Sequence, residues 1–534
     1  MTSPDKTKAP ENASTLDYAP RWAADLRHKG KGPSRDRSRV GEQSPSYRDQ
    51  SHLHRLFEPK IVERGEAQPP SRRLSRFVFP AALSIALALG VIIGLFVTGQ
   101  FRSIFGDRPE ITARSDSQQL DQVSSPNVGP AAAPTAAPAP ATGSAAGLAT
   151  VGGASGPAPT IRGVTNSEIR FGISAPFTGP AKELGQSMKM GIETAFNVAN
   201  AQGGVHGRQL RLVAADDGYE PARTAATMKE LYERDQVFAL IGNVGTPTAL
   251  VALPYALDRK MLFFGAFTGA ALLRSDPPDR YVFNYRASYA EETAAVVSYL
   301  VKVKHLTPQQ IAVFAQQDAY GDAGFAGVEK AIRSLRDGND SPILRLNYQR
   351  NTVNVDDAVA QLQQPRRVPI KAVIMVPTYR AAAKFIEKTR DLYPDMIYTS
   401  VSFVGSTALA DELMLLGKNY AAGVIVTQVV PAVEGHSSLV LEYKSAVAKY
   451  FPGQVPDYVS LEGYVDAKIL IAALQRNGPE LDTEKLVATL EDFHGFDIGL
   501  GTPVTFGRSE HQGVHKVWGT QLDDNGHYQP IDLQ

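Results

Sequence analysis

The chain has 534 residues, which is too long for one ordinary core and predicts two or more domains. Residues 1–76 carry 16 basic and 10 acidic side chains, whereas residues 100–534 carry 39 basic and 45 acidic ones. The acidic main body argues against a nucleic-acid partner. The absence of cysteine excludes disulfides, thiolate metal sites and cysteine nucleophiles.

The first 99 residues predict a membrane attachment. Residues 1–76 are polar and basic, which is typical of a disordered cytoplasmic tail. Residues 77–99 carry no charge and would form a helix of about 34 Å, long enough for a bilayer core of about 30 Å. Arg72, Arg73 and Arg76 precede this run, so the positive-inside rule leaves the N-terminus in the cytoplasm. We therefore predict an uncleaved transmembrane signal-anchor helix; a cleaved signal peptide and a buried soluble helix are the alternatives.

Residues 100–166 are predicted to be a linker. Between positions 126 and 160, 25 of 35 residues are Ala, Pro or Gly, and none is charged. Such a composition cannot build a core and forms a partly extended tether. We expect the following domain to lie close to the outer face of the membrane.

From residue 167 to 534, short apolar runs alternate with amphipathic segments, which is typical of repeated βα units. The predicted strands are 168–173, 209–215, 238–242, 261–264, 311–315, 343–348, 372–376, 396–399 and 423–430, with β-like segments at 504–506 and 515–522. The predicted helices are 185–202, 222–234, 248–258, 290–304, 324–335, 355–363, 380–391, 407–416, 437–450, 460–476 and 483–490. Such units imply Rossmann-like parallel sheets covered by helices. The segment exceeds one sheet, so we expect an α/β fold with two lobes.

Enzyme signatures are missing from the sequence. It contains no G-x-S-x-G elbow, no G-x(4)-G-K-[ST] phosphate loop and no H-E-x-x-H motif, and its ten histidines are scattered. Asp216 and Asp217 are adjacent carboxylates, but neighbouring strand residues point to opposite faces, which favours a turn and capping role over a metal site. We predict no enzymatic activity, no cofactor and no metal.

Two loops at predicted strand ends favour a ligand crevice. The first, G-N-V-G-T-P-T at 242–248, leads into a helix start with free N–H groups and the hydroxyls of Thr246 and Thr248. The second, F-G-A-F-T-G-A at 264–270, contains Ala266 and Thr268. Ligands of open α/β sheets bind at this edge, and the first loop would suit a carboxylate. Ordinary helix capping explains the first loop equally well.

Two tyrosines follow strands in the second half of the chain. Tyr320 lies in Q-Q-D-A-Y-G at 316–321, and Tyr379 lies in P-T-Y-R at 377–380. A tyrosine at a strand end can cover the apolar part of a ligand and donate one hydrogen bond. Simple packing at a helix start is the alternative for each.

From about Glu168 to its last residue, the chain resembles the periplasmic leucine/isoleucine/valine-binding protein family, the type I solute-binding proteins of ABC importers. The resemblance rests on motifs that occur in order. They are F-T-G-P (177–180), N-A-Q-G-G-V-H-G-R (200–208), D-D-G-Y-E-P (216–221), I-G-N-V-G-T-P-T (241–248), D-A-Y-G (318–321) and S-F-V-G-S (402–406).

The resemblance implies two lobes that close on a small ligand like a hinged trap. The first lobe would comprise about 167–286 and 437–502, and the second about 287–428 and 508–534. Crossovers between the lobes would fall near 284–289, 427–436 and 500–507.

The resemblance also implies ligand-binding residues. Thr246, Ala266 and Thr268 would meet the ligand carboxylate, and Tyr320 and Tyr379 would close over the ligand. Ser402 takes the position of a family glutamate that holds the ligand ammonium, and Leu184 takes the position of an aromatic or polar residue. A serine supplies no negative charge, so an aliphatic or aromatic carboxylate, or an amide, is as plausible a ligand as an α-amino acid.

Together with the predicted anchor, the resemblance implies a solute-binding protein attached to a bacterial inner membrane, with its binding domain in the periplasm. It would deliver a branched-chain amino acid, or a related small carboxylate or amide, to an ABC permease. The alternative is a ligand sensor or scaffold that reuses the fold and signals through a partner. The uncleaved anchor and the cytoplasmic tail motivate this alternative.

Overall fold

The computed structural model describes residues 161–335 and 342–534. The predicted tail at 1–76, the predicted membrane span at 77–99 and the linker up to residue 160 lie outside the described residues. Within the described ranges, no helix combines the length and the apolar character that a membrane crossing requires. The three N-terminal segments stay predictions from the sequence.

The described residues alternate between strands and helices, as the βα pattern predicts. The helices, in chain order, are α1 (Lys182–Ala201), α2 (Pro221–Lys229), α3 (Thr246–Asp258), α4 (Tyr289–Ser298), α5 (Ala319–Ser334), α6 (Asp356–Gln363), α7 (Tyr379–Thr389), α8 (Ser406–Leu416), α9 (Lys418–Ala421), α10 (Ser438–Tyr450), α11 (Tyr458–Asn477) and α12 (Thr483–Glu491).

The first lobe is built on a five-stranded parallel sheet in the order β2-β1-β3-β4-β5. The strands are β1 (Glu168–Ala175), β2 (Gln209–Asp216), β3 (Ala239–Ile241), β4 (Phe263–Phe264) and β5 (Val282–Phe283). The apolar side chains of β3, β4 and β5 are buried, which is typical of parallel strands covered on both faces, whereas the edge strand β2 is only partly buried. The carboxyl ends of β3 and β4 bring the two glycine-rich loops side by side.

The second lobe contains a seven-stranded sheet in the order β12-β11-β10-β9-β8-β6-β7. The strands are β6 (Ile311–Gln316), β7 (Leu344–Tyr348), β8 (Ala372–Val376), β9 (Ile397–Ser400), β10 (Ile425–Gln428), β11 (Trp518–Leu522) and β12 (Tyr528–Ile531). The strands β6 to β10 are parallel, but β11 is antiparallel to β10, and β12 is antiparallel to β11. The parallel sheets predicted from the sequence are therefore confirmed, and β11 and β12 add an antiparallel edge to the second sheet.

The chain passes between the lobes three times. It leaves the first sheet after β5 and enters α4, which packs on α5 of the second lobe. After β10 it returns through α10 and α11, both of which pack against α1. It then passes from α12 to β11. The helices α1 and α11 meet closely, because a Cβ atom on Gly191 would lie 1.9 Å from the backbone oxygen of Ser460.

Some predicted strands differ in extent from the observed ones. The predicted strand at 423–430 is shorter, at Ile425–Gln428, and the segment 504–506 contributes only a single bridge from Val504 to Phe496. The sequence prediction missed β5 and β12. β5 has two residues, which is too short to show alternation, and β12 contains Pro530, which is tolerated on an edge strand.

Candidate functional site

The first lobe contributes two threonine hydroxyls to the interface between the lobes. Thr246 is the first residue of α3, and Thr268 follows β4. Their hydroxyl oxygens are 2.7 Å apart, and both side chains are buried. Ala266 is also buried, and its carbonyl accepts a 2.7 Å hydrogen bond from the Thr268 N–H. The structure thus brings together the three residues predicted for the first lobe.

The second lobe contributes the other three predicted residues, all of them buried. Tyr320 lies in the first turn of α5, and its hydroxyl donates to the Pro377 carbonyl at 3.3 Å. Tyr379 begins α7, and its hydroxyl makes no hydrogen bond of good geometry within the described residues. Ser402 begins a single 3-10 turn, Ser402–Val404, after β9.

Phe403 is the residue that joins the two halves of the site. Its ring stacks on Phe267 of the first lobe, with the centroids 5.0 Å apart and the planes at 28°. The centroids of Tyr320, Tyr219 and Tyr289 lie 4.6, 6.1 and 6.4 Å away. A fully buried aromatic ring therefore fills the centre of the predicted ligand site. The motif S-F-V-G-S contains Phe403, but nothing in that motif indicates which way the ring points.

Arg286 places a positive charge beside this ring. Its side chain is 1% exposed, and its guanidinium carbon lies 5.0 Å from the Phe267 centroid. One terminal nitrogen pairs with Glu292 at 3.2 Å and donates to the Ser402 hydroxyl, while the other lies 3.3 Å from Glu462. Burial opposes the charge, but the two carboxylates hold the pKa of Arg286 above its ordinary value.

Position 402 lacks the glutamate that the resemblance led us to expect, but the carboxylate of Glu292, from α4, lies against Ser402. One oxygen accepts the Ser402 backbone N–H at 2.7 Å and the Thr427 hydroxyl at 2.5 Å, and the other pairs with Arg286. The sequence reasoning missed this group, because nothing near Ser402 in the chain indicates that α4 approaches it. The negative charge is present, but a protein cation already neutralises it.

Two further carboxyl groups lie behind Arg286 on α11. Burial raises the pKa of Glu462 to about 7, although Arg286 acts in the opposite direction. Burial also raises the pKa of Asp466 well above its usual range. Neither oxygen of Asp466 has a hydrogen-bond partner within the described residues. This buried carboxyl group is therefore most stable in its protonated form.

A cavity of about 540 Å³ opens at the mouth of the interface. Its walls come from α1, from the start of α7, from α8 and from residues 451–459, and Tyr379 is the predicted ligand residue among them. Leu184 and Gly405 meet at its inner end, because a Cβ atom on Gly405 would lie 2.5 Å from a Leu184 methyl carbon. Phe403 and the two threonines of the first lobe do not line this cavity.

The adjacent carboxylates of Asp216 and Asp217 bond mainly to nearby backbone and hydroxyl groups. Asp216 accepts the backbone N–H groups of Phe177 and Gly218, at 2.9 and 3.0 Å. Asp217 accepts the Tyr219 N–H at 2.9 Å and the Ser174 hydroxyl at 2.9 Å. Both carboxylates thus organise turns. Nowhere in 161–335 or 342–534 do three His, Asp or Glu side chains group as metal ligands would.

Comparison with known proteins identifies the family. The family model for periplasmic binding proteins matches residues 168–527. A possible leucine/isoleucine/valine-binding protein from Rhodopirellula baltica SH 1 has a similar crystal structure, with 42% identity, a TM-score of 0.65, and coverage of 71% of this chain and 99% of that chain. A substrate-binding periplasmic protein from Ralstonia solanacearum has 26% identity and a TM-score of 0.61, and the match covers 68% of this chain and 100% of that one.

A curated relative agrees with the family model. The Leu/Ile/Val-binding protein homolog 3 of Brucella melitensis is 24% identical over 339 residues, which cover 63% of this chain and 86% of the relative. The family consists of solute-binding proteins, so the prediction of no enzymatic activity is confirmed. Membership also implies an extracytoplasmic location. The chain belongs to the periplasmic binding protein family and is a solute-binding protein of the leucine/isoleucine/valine-binding type.

Proposed function

We propose that the chain is the membrane-anchored ligand-binding component of an ABC importer for branched-chain amino acids or related small carboxylates or amides. The observation that carries this proposal is a contact between the lobes. Phe403, which follows Ser402, stacks on Phe267 and contacts Tyr320. Phe267 directly precedes Thr268, whose hydroxyl bonds to that of Thr246. The similarity to a possible leucine/isoleucine/valine-binding protein from Rhodopirellula baltica supports the ligand class.

Binding would proceed by closure of the two lobes. The Thr246 and Thr268 hydroxyls at the carboxyl edge of the first sheet suit a carboxylate. Tyrosines of the second lobe then cover the rest of the ligand. A ligand that touches both lobes favours the closed state by the difference between its contacts in the closed and open states.

The proposed domain organisation follows from the sequence. A cytoplasmic tail at 1–76 precedes a membrane anchor at 77–99, and a linker at 100–166 tethers the binding domain in the periplasm. Within 167–534, the first lobe comprises about 167–286 and 437–502, and the second about 287–428 and 508–534. The permease would receive the ligand from this tethered domain.

Thermal unfolding of the full-length chain tests the proposed function. The panel contains leucine, isoleucine, valine and phenylalanine, their desamino acids, and short amides. A ligand at 100 times its Kd stabilises the folded state by about 2.7 kcal/mol, which is a clear shift in the melting temperature. We expect at least one of these compounds to raise it. A flat response to the whole panel would contradict the proposal and favour the sensor or scaffold alternative.

A further inference from the structure

The surroundings of Phe403 differ from those of an ordinary core residue. The ring belongs to the second lobe, yet it packs on Phe267 and Tyr219 of the first lobe. Tyr289 and Tyr320 also contact it, with their centroids 6.4 and 4.6 Å away. The four rings form an aromatic cage, defined here as Tyr219, Phe267, Tyr289 and Tyr320, whose walls come from both lobes. Opening of the lobes would therefore separate the ring from part of its cage.

Hydrogen-bond donors near the cage lack acceptors. The Tyr289 hydroxyl and the Arg286 Nε make no hydrogen bond of good geometry within the described residues, and both side chains are about 1% exposed. The Arg286 Nη1 is paired in charge with Glu462 at 3.3 Å but lacks hydrogen-bond geometry. Buried donors in native proteins are nearly always satisfied. The phenyl ring of Phe403 offers them no acceptor.

The hydroxyls of Thr246 and Thr268 lie near the Tyr289 hydroxyl. Thr246 and Thr268 bond to each other at 2.7 Å. Burial raises the pKa of Tyr289 to about 12, while the Arg286 charge and these two threonine hydroxyls act in the opposite direction. Three hydroxyls and a guanidinium thus gather beside the cage, a donor-rich set that suits a carboxylate.

A ligand ammonium would meet an unfavourable environment here. Arg286 already donates to Ser402 and pairs with Glu292 and Glu462. An added ammonium would approach a buried cation whose neutralising carboxylates are already engaged, and burying a charge without a partner is costly. The site therefore discriminates against ligands with an α-amino group.

The backbone around the cage is held in a strained conformation. Tyr219 has a φ of +62°, a left-handed value that is a genuine outlier for a bulky side chain. Its ring is held against Gly245, where a Cβ atom would lie 2.3 Å from the ring. Strain of this kind persists where the surrounding structure fixes it, and it concentrates at ligand sites.

We propose that Phe403 occupies the place of the ligand's aromatic group, and that the ligand is an aromatic monocarboxylate without an ammonium group. The ligand ring would displace Phe403 from the aromatic cage, and its carboxylate would accept from Thr246, Thr268, Tyr289 and Arg286. Phe403 sits on a single 3-10 turn that ends at Gly405, which has a φ of +83°, so displacement requires one turn to move. This inference rests on the proposed function and narrows its ligand class.

Calorimetric titration of the full-length chain tests the inference. The probes are hydrocinnamate, L-phenylalanine, phenylpropylamine and the aliphatic acid isocaproate, which vary the carboxylate, the ammonium and the ring separately. We expect hydrocinnamate to bind at least about tenfold more tightly than L-phenylalanine, because the latter adds an unpaired ammonium. Phenylpropylamine should not bind, and isocaproate should bind more weakly than hydrocinnamate.

A second titration uses the variant Phe403→Ala. The substitution should tighten hydrocinnamate binding by about tenfold, because the ligand no longer competes with the ring for the cage. Phe325→Ala, which removes a half-buried ring on α5 of the same lobe, is the matched control and should leave the affinity unchanged.

Three results would overturn the inference, and the first two leave the proposed function standing. The first is tighter binding of L-phenylalanine or L-leucine than of their desamino acids. The second is an unchanged or weaker affinity of Phe403→Ala for hydrocinnamate. Binding by Phe403→Ala alone, with no binding by the unsubstituted chain, would show only an artificial cavity and would also overturn it. A lack of binding by any amino acid, desamino acid or amide contradicts the proposed function itself.

Discussion

The Glu292 carboxylate accepts a 2.7 Å hydrogen bond from the backbone N–H of Ser402, although the two residues are 110 positions apart in the chain. Arg286 closes the arrangement, because it pairs with Glu292 and donates to the Ser402 hydroxyl. Glu292 therefore supplies the negative charge that a ligand ammonium would need, but Arg286 already neutralises it. This network connects the segment between the lobes, α4 and the turn that carries Phe403.

Arg286→Met should destabilise the fold strongly. The substitution would leave Glu292 and Glu462 buried without their cation. Removal of one partner from a buried ion pair destabilises a fold by about 3–5 kcal/mol. Urea unfolding followed by tryptophan fluorescence measures the loss. Lys229→Met is the control, because its pair with Glu233 is exposed and 3.8 Å long, and it should change the unfolding free energy by less than about 1 kcal/mol. Equal effects of the two substitutions would contradict the role given to Arg286.

The stability should fall between about pH 4.5 and pH 7 because of Glu462. Burial raises the pKa of Glu462 from 4.5 to about 7, so the folded protein binds this proton more tightly than the unfolded chain does. The resulting stabilisation is complete below the unfolded pKa and is lost as the pH rises through the folded pKa. Glu462→Gln should flatten the decline in unfolding free energy over this window, by on the order of 1–3 kcal/mol. Glu480→Gln, at an 89% exposed side chain, should keep the slope of the unsubstituted chain; equal slopes in both variants would refute the assignment.

Glu220 holds the lobes together at the edge of the interface. Its carboxylate accepts from Arg350 at 2.9 Å and from Asn351 at 2.6 Å, both on the second lobe. Glu220→Gln should weaken the closed state by about 0.5–1 kcal/mol, because the pair is partly solvated. The chain contains no cysteine, so Lys229→Cys and Arg366→Cys can carry spin labels that report the distance between the lobes.

A broader, longer distance distribution is expected for Glu220→Gln in that measurement. Asp322→Asn is the matched control, because the Asp322 pair with Arg345 at 2.6 Å lies within the second lobe. An identical distribution in both variants would show that Glu220 does not restrain the lobes.

Gly191→Ala should disrupt the contact between α1 and α11. The new methyl group would lie 1.9 Å from the Ser460 carbonyl oxygen, and both partners are helix backbone. Overpacking of this kind costs about 1–3 kcal/mol, measurable as a lower midpoint of urea unfolding. Gly507→Ala, whose added methyl group would meet its nearest neighbour at 3.8 Å, should change the midpoint little. A midpoint for Gly191→Ala equal to that of Gly507→Ala would contradict the observed helix packing.

The strand ends and their loops were predictable from local patterns. Thr246 and Thr268 follow neighbouring parallel strands, and the carboxyl ends of such strands share one edge of the sheet. The structure brings their hydroxyls within 2.7 Å. Long helices such as α1 and α11 were also predictable, because their apolar residues recur with helical spacing.

The ionic network and the aromatic cage were not predictable in this way. Arg286, Glu292 and Glu462 are brought together by the passage of the chain between lobes, which no local pattern reports. In the sequence, Phe403 is one residue of the motif S-F-V-G-S, which does not indicate where its ring lies. Only the packing of the two lobes shows that the ring stacks on Phe267 of the first lobe. The antiparallel pair β11 and β12 was missed as a pair because β12 is short and contains Pro530.

Calorimetric titration of the double variant Thr246→Val, Thr268→Val with hydrocinnamate and with L-leucine tests the binding site most directly. The unsubstituted full-length chain should bind at least one probe saturably, and the double variant should lose at least about tenfold in affinity, because two donors to the carboxylate are removed. Thr489→Val, on the outer helix α12, is the control and should bind like the unsubstituted chain. No saturable binding of either probe by the unsubstituted chain, or equal affinity in the double variant, would contradict a solute site at these two threonines.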